Sequence, residues 1–312
     1  MITNLRPRLV FLVCGLLGTG TLLQAKEASV DASLSTPEHA QTLMAAGQYR
    51  DARREYEAIV DADTRDLGEQ DPKTLSDRIA LAVAKSRTGE ALAAESDLHA
   101  LLAIFVRRRG PDHEETLSCR TTLARMLDDL GRPHEAIGEY RQILSSRERM
   151  LGPDDLEVAR VRHMMADAYV TAEKFADAVP LFQAAQIVFE RELGPDNAET
   201  LLNRSNLALA LGEHQQFDEA EKELKAILAI RERLSGPNDV SVLMTCLHLA
   251  RTLGGHHLFD EADIYARRAE TGLSALFAAD NTNVILAGRL RRQIEADLAR
   301  QSPKAAPLPF AQ

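Results

Sequence analysis

The chain has 312 residues, of which 45% are hydrophobic and 4% aromatic, and its formal net charge is −10. An acidic chain without a basic stripe is a poor binder of nucleic acid, because neutralised phosphates supply most of that affinity. Helix-forming Ala, Leu, Arg and Glu dominate the composition, and no segment alternates in the manner of a β-strand. The sequence therefore argues against a nucleic-acid partner and predicts an all-α protein.

The N-terminus is predicted to be an export signal over residues 1–25. Arg6 and Arg8 precede an apolar stretch at residues 9–23, and Ala25 is a small residue that suits cleavage. The apolar stretch is shorter than the about 20 residues that a membrane-spanning helix needs. We expect an exported, periplasmic protein. The alternative is an uncleaved signal that anchors the chain in the inner membrane, which is also the only membrane contact we expect.

Glycine, alanine and arginine recur along the chain at a constant spacing of 42 residues. The glycines are Gly68, Gly110, Gly152, Gly194 and Gly236. The alanines are Ala52, Ala94, Ala136, Ala178, Ala220 and Ala262, and the arginines are Arg65, Arg107, Arg149, Arg191 and Arg233. Three residue types that recur in one register indicate an internal repeat array. We place about six copies in residues 37–278, the first of them partial.

Each copy is predicted to contain two helices joined by a short turn. In the copy that ends at Gly236, the first helix is expected over residues 197–213 and the second over residues 217–234, because apolar residues fall at helical spacing in both segments. Ala208 and Ala220 are small residues that recur in other copies. They would let two antiparallel helices approach closely.

The Gly-Pro-Asp corner between copies is predicted to end one helix and start the next. Gly194 is expected to adopt the left-handed conformation that closes a helix, and Pro195 suits a turn or a first helical position. Asp196 or Asn197 is expected to cap the next helix. Capping also explains the acids of these corners better than a calcium loop, which needs several converging carboxylates. We expect no bound metal there.

The segment LGPDNAETLLNRSNLALALGEHQQFDEAEKELKAILAIRERL at residues 193–234, together with its neighbouring copies, resembles tetratricopeptide repeats of the kinesin-light-chain type. Those repeats have longer helices and a 42-residue period. The resemblance implies an α-solenoid of antiparallel helix pairs wound as a right-handed superhelix. It also implies that the first helices line a concave groove that binds a protein or peptide segment.

Three segments lie outside the predicted array. Residues 26–36 are expected to be a linker, and residues 279–301 are expected to form a capping helix, since repeat arrays need a polar end. Residues 302–312 are rich in proline and are expected to be disordered.

An arginine column in the first helices has two interpretations. Its guanidinium groups could grip carboxylates of a bound chain, or they could pair with acids of the second helices such as Asp218 or Glu219. The second interpretation is favoured, because a column that is copied with the rest of the unit needs no ligand to explain it. The column comprises Arg78, Arg120, Arg162 and Arg204.

The family resemblance places Asn206 where groove asparagines hold the backbone of a peptide. The equivalent positions in other copies carry Ala80, Thr122, Met164 and His248, so mixed residues are expected to make the groove contacts. The candidate partner-binding residues are Arg120, Arg162, Arg204, Asn206, His163, Arg125, Asp167 and Arg251.

No catalytic motif occurs, and the histidines lack metal-ligand spacing, so we predict neither an enzyme nor a cofactor. Cys119 and Cys246 are three copies apart, too far for a disulfide, and are expected to be reduced and buried. The favoured function is an exported scaffold or adaptor of unspecified oligomeric state. Two alternatives remain: a self-assembling envelope component, or an enzyme that uses His163, Asp167 and Arg125 in the groove.

Overall fold

The computed structural model describes residues 35–301. The predicted signal, the predicted tail and all but the last two residues of the predicted linker lie outside this part. All the regular secondary structure of the described residues is helical, which confirms the predicted all-α class. The helices are α1 Pro37–Ala45, α2 Tyr49–Asp66, α3 Pro72–Arg87, α4 Ala91–Arg109, α5 Glu114–Asp129, α6 Pro133–Leu151, α7 Leu156–Thr171, α8 Phe175–Glu192, α9 Ala198–Glu213, α10 Phe217–Ser235, α11 Val240–Gly255, α12 Phe259–Leu276 and α13 Thr282–Gln301.

The chain divides into two compact units between Gly152 and Pro153. The first unit contains α1–α6 and the second contains α7–α13. Within each unit, helices that follow one another along the chain pack together in pairs. The first helices of successive pairs also touch, α3 with α5 in the first unit, and α9 with both α7 and α11 in the second. The predicted helix-pair architecture is therefore present in both units.

The alanine columns form the contacts between paired helices. Ala208 of α9 and Ala220 of α10 are fully buried, as are their equivalents in the other copies. Because an alanine side chain is a single methyl group, the two helix backbones can lie close together at these positions. These equivalents are Ala82, Ala124, Ala166 and Ala250 for the first column, and Ala52, Ala94, Ala136, Ala178 and Ala262 for the second.

The corners between copies follow one plan, which differs from the prediction in one respect. Asn197 is the N-cap of α9 and its side chain accepts from the Glu199 amide at 2.8 Å, whereas Asp196 accepts from Arg233 Nη2 at 2.5 Å. The glycines that end α6 and α10, Gly152 and Gly236, have φ of 89° and 84° but ψ of 160° and 166°. These corners use an extended, mirror-image backbone that glycine tolerates, and not the left-handed helical conformation.

The two described cysteines and the last helix agree with expectation. Cys119 and Cys246 are free thiols and are fully buried. Burial raises the pKa of the Cys119 thiol to about 12 and that of Cys246 to about 11. Helix α13 lies within the segment predicted as a cap and buries Ala287 and Ile294. Within residues 35–301, no helix is both long and apolar enough to cross a membrane.

Candidate functional site

Three first helices of the second unit, α7, α9 and α11, form the candidate site. Helix α9 lies between the other two and exchanges polar side-chain contacts with both of them. These contacts are Arg160 Nε to Glu199 Oε2 at 2.8 Å, Asn206 Nδ2 to Asp167 Oδ1 at 2.8 Å, and Arg251 Nη2 to Glu213 Oε1 at 2.7 Å. The three helices therefore present one connected face, which we call the first-helix face.

His163 is the most highly connected side chain between α7 and α9. Its Nδ1 lies 2.9 Å from Asn203 Oδ1, and its Nε2 lies 3.2 Å from Asp167 Oδ2. The Asn203 amide nitrogen donates to the Phe182 carbonyl at 3.0 Å, so its oxygen is the atom that faces the imidazole. The rings of Phe182 and Phe189 meet the imidazole edge-on. Both imidazole nitrogens therefore face acceptors and both are donors, which describes a charged imidazolium.

The electrostatics of His163 agree with this geometry. Burial lowers its pKa, but the charge of Asp167, the hydrogen bonds to Asp167 and Asn203, and the charge of Glu199 outweigh burial and hold the pKa above its usual value. The imidazolium therefore joins α7 to α9. Because both of its nitrogens are engaged, it has no free lone pair with which to act as a general base.

The arginine column faces the second helices. Arg120 Nη1 lies 2.5 Å from Glu139 Oε2, and Arg204 Nε contacts Glu223; both arginine side chains are 11% exposed. These ion pairs join the two helices of one pair, α5 to α6 and α9 to α10. The acid partner of Arg204 is thus Glu223, and not the predicted Asp218 or Glu219.

Two further predicted site residues have different surroundings. Arg162 Nη1 donates to the Pro153 carbonyl at 2.8 Å, so this guanidinium packs back on the corner that starts its own copy. Arg125 lies on α5 in the first unit and is exposed. It therefore belongs to a different unit from His163 and Asp167, the two residues with which the enzyme alternative combined it.

Sequence reasoning missed Arg231, which reaches from α10 into the line of contact between α9 and α11. Its Nη1 donates to Thr245 Oγ1 at 2.7 Å and to the Ser241 carbonyl at 3.3 Å, and its Nη2 donates to the Leu201 carbonyl at 3.2 Å. We call this line of contact the α9–α11 seam. Burial lowers the pKa of Arg231 to about 10, against the opposing charge of Asp239. A comparison of columns could have found the residue, since the preceding copy carries Phe189 there.

His248 lies on α11, one turn beyond Thr245. Burial, followed by the charges of Arg231 and Arg251, lowers the pKa of His248 to about 3, so the imidazole is neutral. Its Nδ1 is buried and has no hydrogen-bond partner among the residues that the structure describes. The second unit thus contains one buried histidine that is charged and another that is neutral.

Apolar side chains accompany these polar groups. Leu202 of α9 and Met244 of α11 occupy the same register position and are both half-buried. Asn206 is half-buried as well. Within the described residues, no group of three or more His, Cys, Asp or Glu is arranged to hold a metal ion. The chemistry that the face offers is contact with apolar groups, amide hydrogen bonding and interaction with charge.

Residues 78–149 and 157–222 match the protein family described as tetratricopeptide repeat. No curated protein matches the chain. Among solved structures, BtubC (BKLC) from P. vanneervenii is similar at 22% identity and a TM-score of 0.62, over 73% of this chain and 92% of that chain. Putative kinesin light chain nearly identical TPR-like repeats from Podosopora anserina are similar at 21% identity and a TM-score of 0.59, over 66% of this chain and 98% of that chain.

A third similar structure contains a bound factor. It is a Rap protein complexed with competence and sporulation factor, at 12% identity and a TM-score of 0.53, over 84% of this chain and 74% of that chain. At these identities the likeness shows the fold alone. It confirms the predicted fold class, an α-solenoid of tetratricopeptide type, and the predicted likeness to kinesin-light-chain-type repeats.

Proposed function

This chain is a tetratricopeptide-repeat protein, and we propose that it binds a protein or peptide segment on the first-helix face of its second unit. Such repeats generally bind proteins, and the similar Rap protein was solved with a bound factor. The observation that carries the proposal is the connected face itself. Side chains link α7, α9 and α11, while Leu202, Met244 and Asn206 stay partly accessible on it.

Binding fits the site better than catalysis does. The nitrogens of His163 are both engaged, and the imidazole of His248 is neutral and buried. The two described thiols have a raised pKa, so neither is an activated nucleophile. Partly accessible apolar and amide groups, by contrast, are the usual elements of a peptide-binding surface.

We also propose that residues 1–25 direct the chain out of the cytoplasm, so that binding takes place in the periplasm. The support is Arg6 and Arg8 ahead of the apolar stretch at residues 9–23. Cell fractionation with N-terminal sequencing tests this, and a mature chain that starts at Lys26 in the periplasmic fraction is the expected result. An intact N-terminus in the membrane fraction would support the anchored alternative, and an intact chain in the cytoplasm would contradict both.

Site-specific photo-cross-linking in living cells tests the binding face. One variant carries p-benzoylphenylalanine at Leu202, and a matched variant carries it at Ile264, which is 65% exposed on the second helix α12. A partner that binds the first-helix face should cross-link from position 202 and not from position 264. Free peptide derived from that partner should then compete for the cross-link.

Three outcomes separate the candidate functions. A competed cross-link that is specific to Leu202 supports binding on this face. Homodimers of the chain as the dominant product would favour the self-assembly alternative, and analytical ultracentrifugation over a range of concentrations would check that result. Equal cross-linking from Leu202 and Ile264 would contradict the proposed face.

A further inference from the structure

Arg231 is a partly buried cation whose hydrogen bonds all end on uncharged oxygen atoms. The acceptors are the carbonyls of Leu201 and Ser241 and the hydroxyl of Thr245, and no carboxylate among residues 35–301 contacts it. The acid whose charge reaches it is Asp239, but that carboxylate already caps α11 by accepting from the amide and hydroxyl of Ser241. A guanidinium that is taken out of water without a carboxylate keeps much of its desolvation cost.

The first unit shows what this register position looks like when it is paired. Arg147 of α6 lies two repeat periods before Arg231, and its two terminal nitrogens contact both oxygens of Glu114, at 2.6 Å and 2.7 Å. The residue of α9 that corresponds to Glu114 is Ala198. The chain has therefore kept the arginine in the second unit and replaced its carboxylate with a methyl group.

His248 gives a second, independent indication. It follows Thr245 by one turn of α11, and its buried Nδ1 has no hydrogen-bond partner among the described residues. Arg231 and Arg251 both face it, and their charges add to burial in keeping it neutral. Arg251 is already neutralised by Glu213 at 2.7 Å, so Arg231 is the cation of this group that lacks a counter-charge. A negative group in the seam would be attracted by Arg231 and could accept a hydrogen bond from the imidazole.

The apolar neighbours indicate the source of such a group. Leu202 directly follows the carbonyl of Leu201 that Arg231 contacts, and Met244 directly precedes Thr245. Both side chains are half-buried on the same face. A free inorganic anion would make no use of them. A protein segment that carries an acidic side chain next to an apolar one would contact both parts of the site.

We propose that the α9–α11 seam binds the carboxylate of an acidic side chain in the partner segment, with Arg231 as its counter-ion and His248 as a hydrogen-bond donor. The proposal rests on the proposed function and names the chemistry of the partner. Neighbouring Leu202 and Met244 hold an adjacent apolar side chain of the same segment.

Selection from a display library tests it. The purified chain is used to select random 12-residue peptides whose C-termini are blocked by the display protein. We expect the selected peptides to share one Asp or Glu next to an apolar residue. Replacing that Glu with Gln in a synthetic peptide should weaken binding about 10- to 100-fold, as expected when a charge-assisted hydrogen bond is lost.

Protein variants provide the matched controls. Arg231→Met should weaken binding of the same peptide about as much as the Glu-to-Gln peptide does, whereas Arg147→Met in the first unit should leave binding unchanged. Ala198→Glu should supply Arg231 with the internal carboxylate that Arg147 has, and should weaken binding without unfolding the protein. Circular dichroism checks folding, and Ala198→Glu keeps the test valid if Arg231→Met does not fold.

The outcomes separate the two proposals. Peptides that bind without any acid, or that bind the Arg231→Met and Ala198→Glu variants as tightly as the unaltered chain, would overturn the carboxylate site and leave the binding face in place. If no peptide is selected, both proposals fail. A final arm compares an amidated peptide containing Glu with an acid-free peptide that has a free C-terminus. Binding by the second alone would assign the seam to chain ends and overturn the side-chain assignment.

Discussion

The two units bury ionisable groups of opposite kind in one repeat framework. In the first unit the deeply buried charged residues are acids: Glu55, Asp63 and Asp77, at 3%, 8% and 8% exposure. No acid of the described part of the second unit is buried to that extent, and its enclosed ionisable groups are His163 and His248. The repeat fixes where a polar side chain is enclosed, while the residues around it decide which charge state is stable there.

One register position makes the comparison direct. The sixth residue after the N-cap is Asp77 in α3, Cys119 in α5 and Asn203 in α9. Asn203 donates to the Phe182 carbonyl and Cys119 Sγ lies 3.8 Å from the Leu98 carbonyl, each acceptor 21 residues earlier. Asp77, by contrast, has a buried oxygen without a partner. The same position thus holds a satisfied amide in one unit and a strained acid in the other.

The largest expected effect comes from removing the amide of Asn203. Asn203→Ala leaves the Nδ1–H of a charged His163 and the carbonyl of Phe182 without partners in a buried site, so we expect a loss of about 3 kcal/mol in the free energy of unfolding. Urea denaturation measures it. Cys119→Ala at the equivalent position should cost only about 1 kcal/mol, because the thiol hydrogen bond is weak and little volume is removed. Equal losses would contradict the difference between the units.

The second effect is a pH dependence caused by His248. Its pKa is lowered to about 3 in the folded chain, so between the ordinary histidine value and pH 3 the unfolded chain binds a proton that the folded chain does not. Stability should therefore fall as the pH falls through this window, by about 2 kcal/mol at pH 5 relative to pH 8. His248→Leu should remove this part of the acid sensitivity. The raised pKa of His163 acts in the opposite direction and remains in both proteins, so the difference between their pH profiles isolates His248.

Asp77 should give a smaller effect of the opposite sign. Burial, together with the hydrogen bond and the charge of Asp63, raises the pKa of Asp77 to about 6, although Lys73 lowers it. The folded chain therefore holds a proton more tightly than the unfolded chain does, and stability falls as the pH rises through this window. Asp77→Asn should stabilise the protein by about 1 kcal/mol at pH 7.5 and by nothing at pH 4. Thermal melts measure this; Asp61→Asn, at an exposed position of α2, is the control and should change neither value.

The smallest differences are expected at the corners, because both units build them alike. Asn197→Ala removes an N-cap and should cost about 1 kcal/mol. Asp196→Ala removes only an exposed ion pair with Arg233 and should cost less than about 0.5 kcal/mol. Urea denaturation distinguishes the two variants. A larger loss for Asp196→Ala would show that the acid of the Gly-Pro-Asp motif, and not the residue after it, caps the helix.

The repeat register made much of the fold predictable. Ala208, Ala220 and Asn197 could be assigned from spacing alone, because packing and capping are properties of a single helix or a helix pair. The backbone of Gly236 could not, since several conformations with positive φ end a helix and the following chain selects among them.

The candidate site was less predictable, because its contacts cross between helices. Spacing indicates that Arg204 faces a second helix but does not decide between Glu223 and an acid one turn earlier. The contact of His163 with Asn203 depends on how two successive pairs pack together. Arg231 was visible only as a difference between copies, through the replacement of the Glu114 counterpart by Ala198.

The placement of the two buried thiols makes them natural reporters of breathing motions. Cys119 lies in one unit and Cys246 in the other, and both are protonated and shielded in the folded state. An alkylating reagent can reach either sulfur only when its surroundings open transiently, so the rate of modification of each measures local opening. Mass spectrometry of the separated peptides would then time the opening of each unit in the unmutated protein. An occupied first-helix face should slow the clock at Cys246 and leave the one at Cys119 unchanged.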